Sequence, residues 1–225
     1  DIPIRIKLPK NTNGKNPVYF FVHGGGWNGG DSKNVPPARL HNDANYLADQ
    51  LEVIYVGLAY RCKGNNATFS DAFEDLEASV QWFFDNAENY NADITRIGFG
   101  GASAGSTLAA IMAQKYTNCK LLVGAEGMYN LVEHSEERSL FPNQKARIAF
   151  GLATENESKK ASAYYNLSEN PPNTLLLHGD ADVLCHYTQS IKFAEKIKSQ
   201  GGNAKVVLHK DINHTTLNPS IPDVF

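Results

Sequence analysis

The chain of 225 residues is poor in cysteine: Cys62, Cys119 and Cys185 are the only three. They are odd in number and far apart, so the sequence offers neither a disulfide framework nor a zinc-ligand spacing. Each is expected to be a packed or free thiol, and no metal or cofactor is expected. An excess of positive charge is also missing. Twenty-one Lys and Arg against 24 Asp and Glu leave a net charge of −3, which argues against a nucleic-acid partner. No apolar run approaches the roughly 20 residues that span a bilayer. No basic-then-apolar segment opens the chain. Its first residues, "DIPIRIKLP", already read as the edge of a strand, which fits a chain whose leader has been removed by processing or cloning. The compartment stays open between secreted, periplasmic and cytoplasmic, as does the oligomeric state. Internal repeats and low-complexity linkers are absent too.

What is present is a steady alternation of strand and helix signals. Hydrophobic residues make up 42% of the chain, enough for a substantial core. "PVYFFV" (17–22), "EVIYVGLAY" (52–60), "ITRIGFG" (94–100), "KLLVGAEG" (120–127), "NTLLLHG" (173–179) and "AKVVLH" (204–209) read as buried strands. Helices are expected over 38–51, from about residue 69, over 103–115 and over 187–200. In the second of these Phe69, Phe73, Leu76, Val80 and Phe83 recur at helical spacing, with Ser70 or Asp71 as the expected cap. Near-continuous apolar strands between helices imply a mostly parallel sheet covered on both faces, in a single α/β domain over 1–225. Such sheets place their sites at the carboxyl ends of the strands. The polar stretch of about 45 residues from Met128 to Pro172 breaks the rhythm. It is expected to form a small cap, an ordinary surface excursion being the alternative.

Chemistry concentrates at those strand ends. "GASAG" (101–105) sets Ser103 between residues with almost no side chain. Gly-x-Ser-x-Gly between a strand and a helix is a sharp turn that projects the serine oxygen outward. In "HGGGW" three glycines follow His23. Glycines there free backbone N–H groups to face a developing oxyanion. The loop lacks both the Lys-Ser/Thr of a P-loop and the spacing of a dinucleotide fold.

A serine nucleophile needs a base held by an acid. Of seven histidines, His23 and His178 sit at strand ends beside glycines and look structural. His41 lies in an expected helix, His134 in the cap segment, His186 before a helix and His209 in the last strand. His214, in the loop after that strand, is the expected base. Asp180 and Asp182 both follow the preceding strand. Asp182 is favoured because Asp180 suits the turn itself, and Glu126 stands as an outside candidate.

With these pieces in the order Ser, Asp, His, the chain resembles the α/β-hydrolase superfamily. Within it, "HGGGW", "GASAG", "HGDAD" and the late "NH" are similar to carbohydrate-esterase and hormone-sensitive-lipase-like esterases, of acetyl- or feruloyl-esterase type. The resemblance runs from Ile4 to His214. It implies Ser103 as nucleophile, His214 as base and then acid, and Asp182 as its orienter. The implied oxyanion donors are the backbone N–H groups of Ala104 and of Gly25 or Gly26. It also implies structural roles for the arginine of "LAYR" and the acidic residues of the helix after it. Relatives are expected to differ by an N-terminal hairpin or lid and a longer closing helix.

The resemblance therefore implies ester hydrolysis through an acyl-enzyme, with rate lost below about pH 6.5 as the base protonates. A polar cap favours a short acyl group or a sugar ester over a long lipid. Trp27 is expected either to flank the acyl pocket or sugar face or to pack. An amidase such as an arylformamidase, or a peptidase, on the same triad is the main alternative, and a non-catalytic binding protein the remaining one.

Overall fold

The structure is a computed structural model that describes residues 2–10, 14–29, 41–132 and 150–214. Among them seven strands form one sheet in the order β1-β3-β2-β4-β5-β6-β7. These are β1 (Ile4–Lys7), β2 (Asn16–Val22), β3 (Ile54–Leu58), β4 (Ala92–Ala102), β5 (Cys119–Ala125), β6 (Asn173–Gly179) and β7 (Ala204–His209). β1 runs antiparallel to β3, and every other pairing is parallel. The expected mostly parallel sheet is therefore present. The expected strands are recovered with ends shifted by up to two residues.

Among the described residues the α-helices are α1 (His41–Leu51), α2 (Phe69–Asp85), α3 (Ala104–Lys115), α4 (Glu155–Lys160) and α5 (Thr188–Ser199). The expected start of α1 at residue 38 lies outside the described residues. α2 begins earlier than its expected cap: Thr68 is the N-cap, not Ser70 or Asp71. The Thr68 hydroxyl accepts the Asp71 amide at 3.3 Å, while the Asp71 carboxylate accepts the Thr68 amide at 2.7 Å. Asp71 thus serves as the reciprocal partner three residues on, satisfying two N–H groups that a helix start leaves open.

One large core fills the space around the sheet. Phe20, Val56, Leu58, Phe99, Leu122 and Leu176 have no exposed surface. Phe20 meets Phe83 edge-on at 5.5 Å and stacks on Phe99 at 5.2 Å. From Ala104 to Gln114 every residue of α3 is buried, which explains its run of small residues: the helix is sunk between other elements. The described parts of the segment after β5 join this same core through Met128, Tyr129, Leu131, Phe150 and Leu152. Residues 133–149 of the expected cap, including His134, lie outside the described residues.

From β2 the chain moves outward to β3 on one side and then returns to place β4 on the other. The sheet order therefore reverses between β2 and β4. That reversal is where open α/β sheets form a crevice at their carboxyl ends, and both "HGGGW" and "GASAG" emerge there.

Candidate active site

Ser103 stands at the crevice in a backbone conformation of φ 54°, ψ −125°. A non-glycine residue there is strained, and the surroundings hold it. Its amide donates to the Ala125 carbonyl at 2.8 Å, and its own carbonyl accepts the amides of Ser106 and Thr107 at 2.9 and 3.2 Å. The glycines answer to space. A Cβ at Gly105 would lie 2.2 Å from the Val22 carbonyl oxygen and 2.3 Å from that of His23. One at Gly101 would lie 2.4 Å from the Gly105 carbonyl oxygen. The outgoing helix thus presses directly on the end of β2, which brings Ser103 beside the glycine loop. Ala104, the first residue of α3, is fully buried, and its N–H belongs to the helix start, where no intrahelical carbonyl is available.

Gly25 and Gly26 are exposed and have φ of 123° and 61°. L side chains rarely adopt such angles. The Gly25 carbonyl accepts the amides of Asn28 and Gly29 at 3.1 and 3.4 Å, closing the loop on itself. The loop is braced from β3. Tyr60 stacks on His23 with ring centroids 4.3 Å apart, and its hydroxyl donates to the His23 carbonyl at 3.0 Å. The next residue, Arg61, clamps Asp75 of α2 through Nε at 2.8 Å and through its own amide at 2.8 Å. Trp27, expected either to flank the acyl pocket or to pack, is placed among aromatic rings. It is 4% exposed, stacked on Phe150 at 5.5 Å and edge-on to Phe69. The indole lies within the core, and the residue holds a positive φ of 56°.

Three side chains from distant parts of the sequence meet at this rim. His214 Nε2 lies 2.9 Å from Ser103 Oγ, and His214 Nδ1 lies 2.7 Å from Asp182 Oδ2. A carboxylate only accepts, so the proton is assigned to Nδ1, which leaves the Nε2 lone pair facing the serine hydroxyl. Asp182 is 4% exposed and its two oxygens are saturated. Oδ1 accepts the amides of Leu184 and Cys185, each at 2.8 Å, while Oδ2 accepts His214 Nδ1 and His178 Nε2, the latter at 3.2 Å. Burial opposes its ionisation, but hydrogen bonds from His178, His214 and Cys185 overcome this and hold its pKa well below the usual carboxylate range. Burial likewise works to lower the pKa of His214. The hydrogen bond to Asp182 and the charges of Asp182 and Glu126 outweigh it, so the net shift is upward.

The loops that carry acid and base are stitched together. Ala181 donates to the Ile212 carbonyl at 3.0 Å, Asp180 to that of His209 at 3.0 Å, and Val183 to Asn213 Oδ1 at 3.1 Å. Asp180 accepts the Asp211 amide at 2.6 Å. Asp180 therefore serves the loop, as its turn position suggested, and Asp182 is the carboxylate that reaches the imidazole. His178 is buried as expected of a structural residue, but it also touches Asp182, a contact the sequence reading missed. Its i, i+4 spacing to Asp182 in "HGDAD" is the available signal. Among the other histidines, His186 Nδ1 pairs with Thr188 Oγ1 at 2.9 Å, outside this cluster.

Glu126, Asp182 and His214 are the group among the described residues whose donor atoms lie close enough, within 4.8 Å, to be compared with a metal site. His214 Nδ1 is committed to Asp182, so the group is better described as two carboxylates around one imidazole. All three cysteines are buried and unpaired with one another. Burial lifts the Cys119 thiol to about 11 and the Cys185 thiol well above its ordinary value.

Residues 4–197 match the BD-FAE family. Arylacetamide deacetylase of Bos taurus is 36% identical over 118 residues, covering 51% of this chain and 29% of that protein. A probable isoprenylcysteine alpha-carbonyl methylesterase of Arabidopsis thaliana is 27% identical over 242 residues, covering 94% of this chain and 48% of its own length. The chain thus spans half or less of these curated relatives. Among solved structures, an esterase of Thermogutta terrifontis superposes with a TM-score of 0.81 at 21% identity, covering 99% of this chain and 81% of that one. A carbohydrate esterase from gut microbiota, in truncated form, superposes with a TM-score of 0.79 at 17% identity, covering 94% of this chain and 83% of the other. The strand order, the strained serine turn and the match over residues 4–197 lead to one assignment: the chain belongs to the BD-FAE family, on an α/β-hydrolase fold.

Proposed function

We propose that the protein is a serine esterase that hydrolyses short-chain or carbohydrate-linked carboxylic esters, of acetyl or feruloyl type, through an acyl-enzyme. The observation that carries this reading is the relay in which Asp182, His214 and Ser103 follow one another at 2.7 and 2.9 Å. The first is the hydrogen bond that orients the imidazole, and the second is within reach for proton transfer.

Ser103 Oγ attacks the ester carbonyl carbon while its proton passes to His214 Nε2. The carbonyl π pair becomes an oxyanion, for which the amides of Ala104 and of Gly25 or Gly26 are the assigned donors in this reading. The intermediate collapses by breaking the carbon–oxygen bond to the alcohol, and the leaving oxygen takes the proton from Nε2. Water then adds to the acyl carbon by the same route, giving its proton to Nε2. Ser103 Oγ leaves and recovers that proton. Asp182 stays ionised throughout and balances the imidazolium.

The preference for small or sugar-borne acyl groups is supported by the relatives. Structures of the Thermogutta esterase exist with propionate and with butyrate bound, and a structural neighbour from Bacteroides eggerthii is a bifunctional GH43-CE protein. Among the described residues no helix is long and apolar enough to cross a membrane.

The test is hydrolysis of 4-nitrophenyl acetate, then of acetylated and feruloylated sugars, by the wild type and by Ser103→Ala. Loss of at least about 1,000-fold in kcat is expected for the variant. Undiminished hydrolysis would end this reading. Rates that climb with acyl chains of a dozen carbons or more would end the small-substrate half of it.

A further inference from the structure

One buried ionisable group at the site has no part in the relay just described. Glu126 is the first residue after β5. It holds φ at +51°, and its amide donates to the Leu177 carbonyl of β6 at 2.9 Å. This fixes the backbone beside the imidazole. The residue is 4% exposed, and Oε2 lies 3.8 Å from His214 Nδ1, the nitrogen that already contacts Asp182 at 2.7 Å. One edge of the imidazole therefore faces two carboxylates, while Ser103 occupies the other nitrogen. His178 and Cys185 border Asp182 on its remaining sides.

The two carboxylates contribute differently. Asp182 is at hydrogen-bond distance and sets the tautomer. At 3.8 Å Glu126 is too far to do so, and its influence is that of a charge in a place where water screens little. With both carboxylates ionised, two like charges flank a neutral ring in the resting state, an unfavourable arrangement. Once Ser103 passes its proton to Nε2, the ring is positive and both charges attract it. The interaction is therefore stronger in the transition state than before it, which is the condition for raising rate and not only affinity. The raised pKa of His214, to which both carboxylate charges contribute, agrees with this.

We propose that Glu126 is a second, through-space carboxylate for His214, a positioning residue whose charge favours the imidazolium formed during acyl transfer and partly substitutes for Asp182 when that residue is lost. This rests on the serine-esterase reading for its catalytic consequence, but the electrostatic link is measurable without turnover.

The first measurement is an NMR pH titration of the histidine rings in the full chain, for wild type and Glu126→Gln, with the His214 signal identified by its loss in His214→Gln. The His214 midpoint should fall by about one pH unit in Glu126→Gln, since an isosteric amide removes the charge and keeps the shape. Glu126→Asp, which keeps the charge on a shorter side chain, should retain most of the elevation. This also covers the case in which the amide variant fails to fold.

The second measurement is 4-nitrophenyl acetate turnover. Glu126→Gln should lower kcat about tenfold with little change in KM and move the acid limb downward. In the Asp182→Asn background the same change should cost more than in the wild type. A His214 midpoint unmoved by Glu126→Gln would overturn the inference. So would a kcat loss of equal factor in both backgrounds, since that marks a merely structural residue. If Ser103→Ala kept full activity instead, the esterase reading would fall and the titration result would stand alone.

Discussion

His178 Nε2 lies 2.8 Å from the Cys185 carbonyl and 3.2 Å from Asp182 Oδ2. A carbonyl can only accept, so Nε2 bears the proton and shares it between the two oxygens. Nδ1 is then the acceptor, from the Ser190 hydroxyl at 2.8 Å. The ring is fully enclosed and fixes the acid from behind.

Replacing it should therefore be costly. His178→Leu takes the imidazole donor from the Cys185 carbonyl and the imidazole acceptor from the Ser190 hydroxyl. A loss of about 1–3 kcal/mol in urea unfolding is expected, together with a lower kcat because Asp182 loses a donor. Unchanged stability and unchanged kcat would show that the contact is dispensable.

The pH profile follows from the sign of the His214 shift. A neutral ring is the base, and the folded protein holds its pKa above the ordinary 6.5. The acid limb of kcat/KM should therefore lie above pH 6.5, higher than the unperturbed value the sequence suggested, with activity gained as pH rises through it. For stability the direction reverses. The contribution of protonated His214 is fully present below 6.5 and fades as pH rises through its folded pKa. That of Asp182 is present above its ordinary 3.8 and is lost as pH falls through its depressed folded value. Rate profiles and unfolding curves across roughly pH 4 to 9 check the His214 sign, and unfolding curves continued down to about pH 2 check that of Asp182.

The serine turn should not tolerate a methyl group. Gly105→Ala would push a Cβ to 2.2 Å from the Val22 carbonyl oxygen, and the backbone of β2 would have to yield. A destabilisation of about 1–3 kcal/mol is expected. The loss of kcat should be about 100-fold or more, since a displacement of the order of 1 Å between nucleophile and oxyanion donors is enough for that. Kinetics and thermal unfolding of the purified variant would decide.

Trp27 offers a contrast. It is buried against Phe69 and Phe150, so Trp27→Ala should lower stability by about 3–5 kcal/mol through the cavity it leaves, while Trp27→Phe should cost far less. A Trp27→Phe variant with intact stability but altered preference among acyl groups would instead indicate contact with substrate.

Thiol reagents should leave activity untouched. Cys62, Cys119 and Cys185 are all buried, and burial raises the pKa of each, so little reactive thiolate is available. A fluorophosphonate should label Ser103 with one-to-one stoichiometry. Rapid inactivation by iodoacetamide in the native state would contradict this picture.

Much of this was legible in the sequence because the motifs answer to local geometry. "GASAG" reads directly as a tight crossing since Gly101 and Gly105 sit where any Cβ would strike backbone. The strands were visible because each is a short apolar run. "GAEG" was harder to read. Gly124 and Gly127 make room for the Tyr129 hydroxyl, which pairs with Ser106 Oγ at 2.9 Å, a contact between residues 23 positions apart that leaves no local trace. The same holds for Glu126. Its closeness to His214 depends on β5 and β6 lying side by side and on the chain returning from β7, and periodicity records neither. The placement of Trp27 is against Phe69 and Phe150, which residue type alone does not specify. The cap of α2 was misread by a few positions because Asp71 participates in capping without being the cap itself.

The lacing of Ala181 to Ile212, Asp180 to Asp211 and Val183 to Asn213 has a mechanical implication. Acid and base ride on one shared platform, so warming cannot loosen either alone. Turnover should then vanish in a single sharp step as the platform detaches from the sheet edge, ahead of the melting of the central strands.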